Sequence, residues 1–364
     1  MAARTTHSAS RKARAAEAVA TGPLGALSHD ELGVIVDGLA DPLRPVIAVA
    51  FSSTCLGLRT PLGAALEVLA QQHTRAKVLC HKAGRTDEYN MRLPMCCAEL
   101  SDEVELDWST RSLTADDMAT LGVILAKSLP RLRSLAVGSR FAPLGDAGIQ
   151  ALCEGLVAGA APSLCELDLE DNRIGPAGAD ALAAALRRGA LPKLKQLHLT
   201  DNPLGNLGAA ALAAPLRTKS GLTGVHLEGC LIGDEGVASL VANLGKDDFK
   251  TLEVLDLENN EITDAGMATL IAAIKAAMPA ISELELLFNP ASDEARQSVE
   301  ATLLAERPIL QYEPAEDVEA LMARANASRF LVVQALRNNN GDMALALRAL
   351  EKLPDPGHWP VGGP

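Results

Sequence analysis

One pattern of apolar and polar positions recurs along the middle of this chain. Leu164-Cys-Glu-Leu-Asp-Leu-Glu-Asp-Asn172 returns as Leu194-Lys-Gln-Leu-His-Leu-Thr-Asp-Asn202, Leu222-Thr-Gly-Val-His-Leu-Glu-Gly-Cys230 and Leu252-Glu-Val-Leu-Asp-Leu-Glu-Asn-Asn260. A weaker copy runs from Ile281 to Asn289, another starts at Leu132, and a degenerate first copy surrounds Val104-Glu-Leu106. Starts at 132, 164, 194, 222, 252 and 281 are 32, 30, 28, 30 and 29 residues apart. The period-two alternation that opens each copy predicts a short strand with one buried face. The Asn or Cys at the ninth position falls where the chain leaves the strand, where its side chain can satisfy backbone groups of a buried turn. Ile174, Leu204, Ile232 and Ile262 come two residues later, and glycines at 178, 208, 236 and 266 mark a close approach of layers. A helical period closes each copy, as in Ala181, Leu182, Ala185 and Leu186, or Leu270, Ile271 and Ile274. One strand and one helix per ~30 residues, stacked on copies of themselves, is a solenoid.

The motif resembles that of the leucine-rich-repeat family, L-x-x-L-x-L-x-x-N/C-x-L. Its long period and helical second half resemble the ribonuclease-inhibitor subtype. The resemblance implies an α/β solenoid of about seven repeats over residues 99–310, with parallel strands on the concave face and helices outside. It also implies that positions 3, 5, 7 and 8 of each copy point into the arc. Over seven copies those 28 positions include Glu103, Glu105, Asp107, Glu166, Asp168, Glu170, Asp171, Asp201, Glu228, Asp256, Glu258, Glu283 and Glu285, and no Lys or Arg. Thirteen acids stand where the chain-wide frequency of 46 in 364 would place about 3.5. Like charges stacked on neighbouring strands repel. The face is therefore either simply solvated or a surface for a basic protein segment, and the second reading is adopted as the expectation. Trp108, Leu287 and Phe288 fall at the ends of the same face, as apolar anchors or as packing. His198 and His226 share position 5 with Asp168 and Asp256. Two imidazoles between carboxylates are also a pattern for a metal. The polar ladder is the simpler reading, and no metal or cofactor is assigned. A second set, His73, Cys80, His81, Cys96 and Cys97, matches no derivable zinc spacing.

Two flanking blocks have a different pattern. Residues 1–22 carry Arg4, Arg11, Lys12 and Arg14 against Glu17 and read as a disordered basic tail. The lack of an apolar core argues against a secretory signal and leaves an organelle transit peptide open. Residues 23–98 read as a helical block: Ser28 and Glu31 form a capping box, Ile35, Val36 and Leu39 follow, and Asp41-Pro42 ends the helix. An apolar segment then runs from Val46 to Phe51, followed by Cys55, Leu58 and Arg59, and Pro61 to Leu79 is amphipathic. The strings "L-S-x-D-E-L", "D-P-L" and "F-S-x-T-C-x-x-L-R" resemble an F-box, which implies docking to the adaptor subunit of an SCF-type ubiquitin ligase. A plain helical cap over the first repeat is the alternative. Residues 314–353 predict three short helices. The strings "E-D-V-E-x-L-M-x-x-A-N-A-S-R" and "V-x-A-L-R-N-N-N-G-D" resemble the UBA-like domain of the nascent polypeptide-associated complex alpha subunit. That resemblance implies an interaction surface around Ala325, Asn326, Ser328, Arg329 and Leu350, with ubiquitin or another protein as ligand. Residues 354–364 read as a disordered tail.

Composition narrows the function. The chain has 364 residues and a net charge of −13, from 33 Lys and Arg against 46 Asp and Glu. This balance argues against nucleic acid and anionic membranes. Aromatics are 2% of a chain that is 48% hydrophobic, so the core is built of Leu, Ala, Val and Ile, and stacking platforms for bases are excluded. Seven cysteines without a C-x-x-C point to a reducing compartment, cytoplasmic or nuclear. No run of ~18 apolar residues predicts a membrane span. No nucleotide loop, catalytic triad or closed metal framework is present in the sequence. The reading is a non-enzymatic, monomeric protein-recognition module, a substrate-recognition subunit in ubiquitin-linked or nascent-chain quality control. The alternatives are a small-GTPase regulator of the Ran GTPase-activating type and a ribonuclease-inhibitor-like enzyme inhibitor.

Overall fold

A computed structural model describes residues 38–53, 62–86 and 92–306, apart from 139, 243, 246 and 247, together with the pairs 34–35 and 347–348. The expected basic tail, most of the first F-box-like helix and the C-terminal module, including Ala325, Asn326, Ser328, Arg329 and Leu350, lie outside the described residues. The elements in order are α1 (Val46–Ser53), α2 (Gly63–Ala83), β1 (Arg85–Thr86), β2 (Arg92–Leu93), α3 (Cys97–Asp102), β3 (Glu105–Trp108), α4 (Ala115–Lys127) and β4 (Ser134–Val137). They continue as α5 (Gly145–Gly155), β5 (Glu166–Asp168), α6 (Pro176–Arg187), β6 (Gln196–His198), α7 (Gly205–Thr218), β7 (Gly224–His226), α8 (Asp234–Val241), β8 (Val254–Asp256), α9 (Asp264–Ala277), β9 (Glu283–Glu285) and α10 (Asp293–Glu306).

Strands β3 to β9 form one parallel sheet in chain order, and β1 pairs with β2 as a separate antiparallel ribbon. A strictly sequential parallel sheet needs a crossover helix between every pair of strands, and α4 to α9 supply them. Position 4 of the repeat forms one buried row across the sheet: Leu106, Leu135, Leu167, Leu197, Val225, Leu255. Leu169, Leu199, Leu227 and Leu257 form a second buried row two residues on. Small residues on the helices let consecutive repeats approach. A Cβ on Gly122 of α4 would lie 2.4 Å from the Leu152 carbonyl oxygen of α5, and one on Gly155 would lie 2.5 Å from the Gly122 backbone. With backbone on both sides, no rotamer change relieves that contact.

Pairing corrects the expected first copy by two residues. Glu105 pairs with Ser134 and Trp108 with Val137, so Leu106 is at position 4 and Trp108 at position 6. Trp108 is therefore buried under the sheet, not on the concave rim, and its indole Nε1 donates to the Gly84 carbonyl at 3.0 Å. Glu103 precedes the strand as the C-cap residue of α3 and stands outside the ladder. Alternation alone does not distinguish the two registers, because a shift of two leaves Glu105 and Asp107 on the concave face and Leu106 beneath it; only Trp108, expected beyond the strand end, changes place.

Two side-chain ladders bind repeat to repeat. Asn202, fully buried, accepts from the Asn172 and Ile174 amides and donates to the Leu169, Leu199 and Thr200 carbonyls. Asn260 repeats the pattern toward Cys230 and Ile232. The second ladder caps helices across repeats. Asp146 Oδ1 accepts from the Gly175 and Gly178 amides, Asn206 Oδ1 from Gly233 and Gly236, and Asp234 Oδ1 from Thr263 and Gly266. The starts of α6, α8 and α9 are thus completed by the helix before each. The glycines at 178, 236 and 266 pack against these capping side chains and against Ile174, Ile232 and Ile262 of their own repeats.

At the N-terminal end α2 packs on α3 and α4, and its Ala76, Leu79, Cys80 and Ala83 join the solenoid core. Lys82 is paired with Asp117 of α4. Asp41 accepts from Leu43 N and from the Ser128 hydroxyl at the end of α4. Of the second candidate metal set, Cys80 and Cys97 lie 3.8 Å apart, Cys96 is exposed, and His73 Nδ1 contacts the Pro42 carbonyl.

Candidate functional site

The concave sheet face carries two continuous columns. One reads Glu105, Ser134, Glu166, Gln196, Gly224, Val254, Glu283 and the other Asp107, Ala136, Asp168, His198, His226, Asp256, Glu285. Parallel strands lie ~4.8 Å apart, so the charged members of each column are near neighbours. Glu170, Asp171, Asp201, Glu228 and Glu258 follow just beyond the strand ends. With Glu103 removed and the first copy shifted to Glu105, Asp107, Ser109 and Thr110, 12 of the 28 positions are acidic and none is Lys or Arg.

Some of these acids have local structural work. Asp107, Asp168 and Asp256 each accept from the amide two residues on, those of Ser109, Glu170 and Glu258, closing the strand end as an Asx turn. Position 8 has positive φ in successive copies: Asp171 at 56°, Asp201 at 54°, Gly229 at 65°, Asn259 at 50° and Phe288 at 57°. Asp, Asn and Gly tolerate that conformation, which accounts for residue type at this position. Phe288 does not fit it and stands 77% exposed beside exposed Leu287. Position 3 and position 7 acids have no such backbone reason.

The electrostatics record the crowding. Burial first, then Asp256, Glu285 and Glu228, push the Glu258 carboxyl up to about 7. Burial, a hydrogen bond to Glu285 and the Glu285 and Asp256 charges push Glu283 up to about 8. Burial together with neighbouring carboxylates also raises Glu170, Asp201 and Glu228. Arg140, at the edge of the face, draws Asp201 back down. Glu170, Asp171 and Asp201 place their carboxylate oxygens within 4.8 Å of one another. Beside them, Ser109, Val137, Gly138, Asp168, Glu170 and Asp171 line an open depression of about 220 Å³.

His198 and His226 stack at the centre of the face, with centroids 4.3 Å apart and planes 4° from parallel. Glu166 lies 3.6 Å from His198 Nε2 and Asp256 lies 3.8 Å from His226 Nδ1. Burial and then His226 hold the His198 imidazole below its ordinary range, against the pull of Asp168, Glu166 and Asp256. Parallel stacking turns the ring edges along one another and does not converge their nitrogens on a common point. Sequence reasoning placed both rings in one column but had no signal for the stack.

The family model described as Leucine Rich repeat matches residues 160–183, 190–213 and 250–270. No curated protein matches this chain. The matched segments fall within the sequential parallel sheet and its helices, so residues 160–270 carry leucine-rich repeats. Such repeats generally serve protein–protein interaction and generally lack catalysis. Among the described residues no helix is long and apolar enough to cross a membrane.

Proposed function

We propose that this protein recognises a basic protein segment on its acidic concave face. The observation that carries the reading is the pair of in-register columns from Glu105 to Glu285, acidic at both ends and without a single Lys or Arg. Clustered acids whose ionisation is suppressed by their neighbours gain when cations arrive, and a field of one sign steers encounter more than it sets final affinity. Partner contacts are assigned to Glu105, Asp107, Glu166, Asp168, Glu170, Asp171, His198, Asp201, His226, Glu228, Asp256, Glu258, Glu283 and Glu285. Leu287 and Phe288 add an apolar rim. The small flanking modules at 23–98 and 314–353 would couple the bound client to ubiquitin-linked or nascent-chain machinery, a role that rests on their sequence resemblance. Replacing Glu166, Glu170, Glu228 and Glu258 by Gln tests the face. The expected result is at least ten-fold weaker binding of a synthetic arginine-rich peptide with the fold intact by circular dichroism. Unchanged binding would remove the assignment.

A further inference from the structure

We propose that the acidic face is occupied in cis by residues 1–22 of the same chain, which a basic partner must displace. The inference rests on the reading of that face as a site for basic segments and names its resident occupant. The segment holds Arg4, Arg11, Lys12 and Arg14 against Glu17, and no other four-residue window of the sequence holds three bases as 11–14 does. Six bases among the described residues are engaged away from the face: Arg44 with Asp102, Lys82 with Asp117, Arg187 with Asp180, Arg296 with Asp293, and Arg188 and Lys219 with the Cys153 and Ala190 carbonyls, while Arg140 acts on Asp201 at its edge. The face and the segment are thus complementary blocks of opposite sign within one chain.

Geometry permits the contact. Asp41 is tied to Ser128 at the end of α4, in the first repeat of the arc. From Arg14 to Asp41 is 41 − 14 = 27 residues. At ~3.3 Å per extended residue, and ~1.5 Å for the twelve expected in a helix over 28–39, that stretch still reaches roughly 65 Å. Seven strands at ~4.8 Å spacing span only ~29 Å. The depression between Ser109 and Asp171 lies at this same end of the sheet and offers Asp168, Glu170 and Asp171 to a basic side chain. Tethering supplies a local concentration on the order of millimolar, so weak attraction suffices for occupancy. The segment has no Phe, Trp or Tyr, and Ala, Ser and Thr fill most of the positions between its charges. Charge therefore has to carry the contact, and salt should release it.

The test uses the full chain and the variant R4E/R11E/K12E/R14E, with a labelled synthetic peptide of residues 1–22 and an unrelated Lys- and Arg-rich peptide of equal charge as probes. Fluorescence anisotropy at low salt is expected to show both peptides binding the variant at least ten-fold tighter than the unaltered chain. The difference should close as salt is raised. Equal affinity of both proteins for both peptides would overturn cis occupancy while leaving the face as a site for basic segments. Failure of either peptide to bind either protein would overturn the reading of the face itself, and cis occupancy with it.

Discussion

A single buried asparagine shows how much one residue holds in this molecule. Asn202 satisfies two amides of the preceding turn and three carbonyls, all away from water. An unmade buried hydrogen bond costs about 1–3 kcal/mol. Asn202→Ala is therefore expected to lose about 3 kcal/mol or more in urea unfolding. The neighbouring ladder position is Cys230, whose thiol reaches the Leu199 carbonyl but offers no side-chain acceptor to the repeat before it, and the Leu204 amide turns to the Asn202 carbonyl instead. Phe288 is the opposite case. It sits at positive φ where other copies have Asp, Gly or Asn, and the left-handed conformation costs an ordinary residue roughly 1 kcal/mol. Phe288→Asn is expected to raise stability by about 0.5–1 kcal/mol while weakening partner binding. A variant that is less stable would show that Phe288 packs rather than waits. The ladder asparagines were legible in sequence from their fixed ninth position. The left-handed backbone at position 8 was not, since Asp171 and Asp201 read there as charges alone.

Among the elements, α6, α8 and α9 start on borrowed caps. Asp234 accepts the Thr263 and Gly266 amides and the Thr263 hydroxyl from the next repeat, and those bonds hold its carboxyl below the usual range despite some burial. Asp234→Ala removes a helix cap that lies outside the capped helix, and a loss of about 1–2 kcal/mol is expected from thermal or urea unfolding. The caps at Asp146, Asn206 and Asp234 were not legible, because local capping rules look within one helix and do not find a partner about 30 residues away. The strands were legible because Leu-x-x-Leu-x-Leu alternates over one face in copy after copy. The first copy slipped by two because Val104 and Leu106 satisfy the same alternation as Leu106 and Trp108. Only pairing with Leu135 and Val137 decides between them.

For the whole molecule, the crowded acids set an unusual pH response. Glu258 and Glu283 are raised to about 7 and about 8, so the folded chain retains protons that the unfolded chain has released. Stability then falls as pH rises through that window. His198, held below 6.5, acts in the reverse sense only under that value, and the lowered Asp117 and Asp234 titrate below 3.8. Between pH 6.5 and 8 the two glutamates decide the direction. The melting temperature is expected to be lower at pH 8 than at pH 6.5, and Glu283→Gln should flatten the slope. A higher melting temperature at pH 8 would contradict the crowding. By the same linkage, binding a basic segment should expel protons and strengthen over that range.

The central claim, that one acidic face steers basic partners, is tested most directly by association rate against ionic strength. Stopped-flow binding of a synthetic arginine-rich peptide would be followed from about 20 to 500 mM salt, across Debye lengths of roughly 20 to 4 Å. The R4E/R11E/K12E/R14E protein would be compared with the same protein neutralised at Glu166, Glu170, Glu228 and Glu258. The expected result is a rate that falls at least ten-fold with salt in the first protein and much less in the second. A flat salt response, or equal slopes in both proteins, would contradict it.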